Sequence, residues 1–163
     1  MTVDSDFIDI LNKKLSFLNS VSKKEFNISL CPIKIGFDLK GLRAGIFNPE
    51  TNEIYINKEL CHICPDKVIN EVLIHEIAHF IAYHIDKKAK PHGRLWKKIA
   101  YRLGLKNPKA THNLPVTPAK SLKTFRYSCK CKIHFITSIR HNKIINKKAK
   151  YFCKKCKAEL KPE

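Results

Sequence analysis

The chain has 163 residues, 44% hydrophobic and 9% aromatic, enough for one compact domain with a small appendage and too few for more than two independent cores. No apolar run approaches the ~18 residues of a membrane-spanning helix, and Asp4, Asp6 and Asp9 stand where a secretory signal would be basic. The formal charge of +18 is one-sided: residues 1–81 hold nine basic against eleven acidic side chains, residues 82–163 twenty-three against three.

These limits predict a soluble monomer, cytoplasmic (nucleoid-associated) or nuclear, neither secreted nor held in a membrane. A lysine-rich face can be simple solvated surface, but an excess this concentrated points to a polyanion, with DNA the expected partner. The seven cysteines, odd in number and with four of them near the C-terminus, favour metal binding in a reducing compartment over a disulfide framework.

From Asp4 to Ser20, Phe7, Ile10, Leu11, Leu15 and Leu18 recur at spacings of three and four, which predicts an amphipathic helix. Cys31 to Leu39 reads as a strand. Gly41, Gly45 and Asn48-Pro49 then punctuate the chain before Glu53 to Asn57, where Ile54 and Ile56 alternate with Tyr55. Two or three short strands in one sheet are expected. Pro65 and Asp66 open a helix predicted to run to about Asp86, apolar on nearly every side and therefore internal. A further helix is predicted from about Gly93 to Leu103, ending at Gly104. Residues 105–121, with Pro108, Pro115 and Pro118, read as a linker or an extended wrapping segment. The last forty residues read as short strands between paired cysteines.

Inside the apolar helix lies His75-Glu76-Ile77-Ala78-His79. Positions i and i+4 share a helix face, so His75 and His79 can hold one metal while Glu76 sits beside it. A hydrolytic zinc site needs this set: imidazoles for the metal, and a carboxylate outside the ligand shell as general base. Two imidazoles and a carboxylate in an apolar helix are costly to bury without a metal or hydrogen bonds. Catalytic zinc takes a third protein ligand; His92, thirteen residues past His79 and beside Gly93, is the candidate. A helix cap or a surface histidine is the plainer reading of His92. His84, five residues past His79 on the same helix, would point away.

Cys129, Cys131, Cys153 and Cys156 form two close pairs separated by 21 residues, the pattern of a four-thiolate structural zinc site closed across a hairpin. Free buried cysteines are the alternative, and His134 or His141 could replace one thiolate. Lys130, Lys132, Arg140, Lys143, Lys147, Lys148, Lys150, Lys154 and Lys155 surround these pairs and are the candidate nucleic-acid contacts. Phe125, Tyr127, Phe135, Tyr151 and Phe152, interleaved with them, are either the core of the module or a stacking surface for bases. Cys61 and Cys64 resemble half a metal site but read better as a loop leading into the internal helix.

Together these motifs resemble the SprT-like metalloprotease family, which includes the Spartan proteases of DNA–protein crosslink repair. The resemblance rests on Arg43-Ala44-Gly45, Ile54-Tyr55-Ile56-Asn57, His75-Glu76-Ile77-Ala78-His79, and His92-Gly93 with Trp96. In the C-terminal part it rests on Tyr127, Cys129, Cys131, Arg140-His141-Asn142, Tyr151, Cys153 and Cys156. It spans residues 30 to 160. It implies a small zincin fold, three histidine ligands, a glutamate base and, in the Spartan branch, cleavage of proteins bound to DNA.

The expected architecture is therefore α+β: a zincin-like catalytic domain over 1–104, with the active-site helix packed on a short mixed β-sheet, the segment 105–121, and a basic zinc ribbon over 122–163. The expected cofactors are two Zn2+ ions, one catalytic at His75, His79 and His92 with Glu76 as base, one structural at the four cysteines. The expected activity is zinc endopeptidase action on DNA-bound proteins. The rivals are a nucleic-acid-binding zinc protein whose HExxH site is inactive or structural, and a metallohydrolase acting on another bond.

Overall fold

The structure, a computed structural model, describes residues 3–117 and 123–163. Pro118, the end of the segment 105–121 and the start of the ribbon at 122 lie outside the described residues. The chain forms two compact units, residues 1–119 and 120–163. No helix of the described residues is long and apolar enough to cross a membrane.

In the first unit, α1 (Ser5–Phe26) starts where the Asp4 side chain accepts the Asp6 N–H and ends at Asn27, whose left-handed backbone (φ 56°) lets its N–H return to the Lys23 carbonyl. It runs six residues beyond the expected Ser20 because a cap, not a change of periodicity, stops it. Phe7, Leu11, Leu18 and Ser22 are buried, whereas Ile10, expected inside, is exposed on the flank of that stripe. Three strands follow, β1 (Lys34–Leu39), β2 (Gly45–Asn48) and β3 (Glu53–Asn57), in the order β1-β3-β2. β3 is central, parallel to β1 and antiparallel to β2, so Ile54 and Ile56 are fully buried, while β2 has one edge unpaired among the described residues. Residues 31–33 precede β1 as a turn rather than extending the strand.

Asn57 caps α2 (Lys58–Ile63) by accepting the Glu59 N–H. A helix stands here where the sequence suggested a loop, and it puts Cys61 into the core. The long apolar helix is confirmed with one irregularity. After the turn α3 (Pro65–Lys67), Val68–Val72 forms a π-helical turn, and α4 (Leu73–Ile85) continues from it. Val68, Ile69 and Val72 are buried in this wider turn, and Leu73, Ile74, Ile77, Ala78 and Ile81 along α4 beyond it. The helix α5 (Arg94–Arg102) packs on α4 through Trp96, Ile99 and Ala100, and Gly104 closes it at φ +105°. Beyond it, Leu105, Leu114 and Val116 rest against the same core. Thr117 donates to the Glu59 carboxylate at 2.6 Å.

The second unit is a three-stranded antiparallel sheet of β4 (Thr124–Ser128), β5 (Ile133–Thr137) and β6 (Lys161–Pro162), ordered β5-β4-β6. α6 (Ser138–Ile145) follows β5, where strand-like runs were expected; the paired isoleucines at its end mimic a strand in sequence. Only Tyr127, Ile136, Cys153 and Leu160 are buried among the described residues of this unit. The molecule is thus α+β with small sheets, mixed in the first unit.

Candidate metal centres

Three elements converge on the first centre. α4 presents His75 and His79 one turn apart, and the turn before α5 presents His92. His92 stands at φ +57°, a strained setting for a non-glycine residue. Gly93 holds the turn closed: its N–H donates to the Lys90 carbonyl at 2.9 Å, and a Cβ on it would fall 2.8 Å from that oxygen. The three Nε2 atoms lie 3.0, 3.0 and 3.2 Å apart. Ligands of one tetrahedral zinc at ~2.0–2.1 Å stand about 3.3 Å apart, so the triangle is close to the size the ion requires.

Trp96, fully buried, underlies all three rings, its centroid 4.6, 5.3 and 4.8 Å from those of His75, His79 and His92. Its Nε1–H donates to the His75 carbonyl at 3.3 Å. Burial lowers the pKa of His75 to about 4, helped by the charges of His92 and His112. Burial lowers that of His79 to about 3, and it lowers that of His92 as well. Neutral rings with converging lone pairs suit a cation and repel one another without one. The donor set therefore fits a zinc ion, and it is one of two groups of potential metal ligands among the described residues.

Glu76 is buried, only 5% exposed, and faces β2 beside the histidines. Gly45 makes room for it: a Cβ there would lie 2.8 Å from Glu76 Cγ, 2.9 Å from Oε1 and 2.9 Å from Val72 Cγ1. Burial raises the Glu76 pKa to about 8, opposed by a hydrogen bond from the Phe47 N–H. Phe47 fixes β2 against α4 by edge-to-face contact with Phe80 and Tyr83, centroids 5.5 and 6.0 Å away. Asn57 fixes the loop before β2, donating to the carbonyls of Gly41 and Arg43 at 2.9 and 3.1 Å. His84 turns away as expected; its Nδ1 pairs with the Phe80 carbonyl at 2.9 Å.

These groups lie in an open cleft of ≈1650 Å³. β2 lines one side, and residues 104–114, including His112, line another. Sequence reasoning placed no part of the site on that segment. Its signal, a run of apolar anchors at Leu105, Leu114 and Val116 without periodicity, becomes legible only once the core is known.

The four cysteines of the second unit also meet, their sulfurs all within 4.8 Å of one another. Cys129 and Cys131 are 3.5 Å apart, Cys131 and Cys153 3.7 Å, near the ~3.8 Å edge of a tetrahedron with Zn–S of ~2.3 Å. Against desolvation, the Cys131 N–H and the His134 ring lower the Cys129 pKa to about 5. The Cys156 N–H leads in lowering Cys153 to about 7. Cys131, hydrogen-bonded to Cys129, is pushed up to about 12. The four sulfurs do not all ionise by themselves, and a divalent cation among them removes that conflict. Cys61 and Cys64 join no such group among the described residues.

All nine candidate basic contacts of this unit are exposed; Lys150 is paired with Glu159 at 3.4 Å. Of the five aromatics, Tyr127 is buried, Phe125 stacks on His141 at 3.7 Å, and Tyr151 lies under Arg140. Phe135 and Phe152 are exposed.

A family model described as the SprT-like family matches residues 11–119. The curated relatives include Protein SprT of Actinobacillus succinogenes, 31% identical and covering 93% of this chain and 89% of that protein. Protein SprT of Vibrio atlanticus is 33% identical (92% and 90%), and that of Yersinia pseudotuberculosis 35% (78% and 74%). No solved structure matches the chain.

Proposed function

The chain belongs to the SprT-like family, and from that premise we propose that it is a zinc-dependent endopeptidase acting on proteins bound or crosslinked to DNA. The observation that carries this reading is the meeting of three histidine Nε2 atoms within 3.0–3.2 Å beside the buried Glu76 carboxylate. His75, His79 and His92 would hold the metal. Bound there, zinc supplies Lewis acidity, polarising a carbonyl and easing the ionisation of water. Glu76 is not counted among the ligands. Its carboxylate takes a proton from water and delivers it to the leaving amine, the role of a carboxylate beside the ligands and outside their number.

The free edge of β2, beside Glu76 in the cleft, offers backbone groups to an extended peptide, the simplest way to align a scissile bond with the histidines. This geometry supports peptide over other hydrolysable bonds. The exposed lysines and arginine of the ribbon would hold DNA and so limit which proteins reach the cleft. Localisation with DNA, cytoplasmic or nuclear, follows from that reading.

The test is cleavage of a DNA-crosslinked protein by the intact chain and by Glu76→Gln. The amide is nearly isosteric but accepts no proton, so the rate falls ~100 to 10,000-fold while zinc content and DNA affinity stay near normal. Equal cleavage by both, with a His75→Ala control excluding a contaminant, leaves the binding-protein reading instead.

A further inference from the structure

The cysteine centre has a fifth polar neighbour. His134 lies on β5 opposite Tyr127 of β4, so both side chains face the inner side of the sheet. Its Nε2 lies 3.2 Å from Cys129 Sγ.

A nitrogen and a sulfur bound to one tetrahedral zinc stand about 3.5 Å apart, given Zn–N of ~2.0–2.1 Å and Zn–S of ~2.3 Å. The observed distance falls short of that by as much as the other ligand pairs fall short of theirs, so the count decides: four sulfurs already complete the tetrahedron. We propose that His134 is a positioning residue of this centre that donates its Nε2–H to the Cys129 thiolate and is not itself a ligand. The proposal rests on the ribbon holding a metal and is independent of the peptidase reading.

There is a physical need for such a donor. Four thiolates around a divalent cation leave an excess of two negative charges. Cys129 bears an added burden because the Lys132 carbonyl oxygen lies 3.3 Å from its sulfur, an unfavourable neighbour for an anion. A ring N–H on the opposite partner offsets that dipole, fixes the sulfur's orientation and draws charge off it.

The test uses the full chain loaded with cobalt(II), whose thiolate charge-transfer band reports the cysteine centre and not the histidine one. Wild type, His134→Leu and His134→Gln are compared, since glutamine retains an N–H donor. The expected result is a four-sulfur spectrum in all three. In His134→Leu the band is displaced, and a chelator bleaches it at ~10–100-fold lower concentration. His134→Gln recovers most of that loss. Loaded with cadmium-113, the wild type should show coupling of the metal to the His134 Nε2–H through the hydrogen bond. An unchanged band and chelator sensitivity in His134→Leu overturns the proposal, as does direct nitrogen coordination in the cadmium spectrum. A wild-type chain with no thiolate band overturns the metal reading of the ribbon and this proposal with it.

Discussion

The two centres differ in what supports them. The histidine centre sits on α4, inside a core of twenty-three buried residues among those described, and its second neighbours are a buried tryptophan, a glycine clearance and an anchored edge strand. The cysteine centre has four buried residues around it, and Cys153, one of its own ligand candidates, is among them. In the first unit the fold itself brings the three histidines together, and a metal there would add chemistry. In the second, a metal would do the work of a missing core, as in other modules too small to bury enough apolar surface.

Metal removal is the harshest way to break this comparison. A strong chelator should unfold residues 123–163, because structural zinc contributes ~10–16 kcal/mol to such modules, while the first unit stays folded. Hydrogen exchange followed along the chain should show protection lost in β4 and β5 and kept in α4. Next is Gly45→Ala. Its Cβ would press on Glu76 and Val72, and overpacking costs about 1–3 kcal/mol, read as a lower denaturant midpoint with zinc content retained. A smaller effect, about 0.5–1.5 kcal/mol, is expected for Trp96→Phe, which loses the bond to the His75 carbonyl. Zinc affinity at the histidine centre should fall with it, measured by competition with a chelating dye. The mildest change concerns the ribbon surface. Replacing Lys147, Lys148, Lys154 and Lys155 with glutamine should leave both metals in place and flatten the salt dependence of binding to duplex DNA by about 0.9 in log–log slope per lost contact. A slope unchanged by all four would move the DNA contact elsewhere.

The groups of candidate ligands that the structure brings together were legible in the sequence because they follow spacing: i and i+4 on a helix, CxC and CxxC on a ribbon. The geometry the structure gives His75, His79, His92 and the four cysteines needs no other residues than those. What surrounds them was less legible. Gly45 reads as turn punctuation, yet it sits in a strand as clearance for Glu76, a contact between residues 31 positions apart that no local pattern records. The π-helical turn at Val68–Val72 interrupts no periodicity in the sequence, since Val68, Ile69 and Val72 keep spacings of three and four with Asn70 and Glu71 outside. α6 was missed because its β-branched residues outweigh its capping signals in a local reading. Cys61, half of an apparent metal motif, is a core residue of α2.

One chain is expected to carry two metal ions in unlike settings, the first serving chemistry and the second folding. The direct measurement is zinc per chain in the purified protein and in a His75→Ala, His79→Ala double variant. Two ions should fall to one, with the ribbon still folded around the ion that remains. One ion per wild-type chain, or a double variant that keeps the histidine-site metal and loses the ribbon metal, would contradict it.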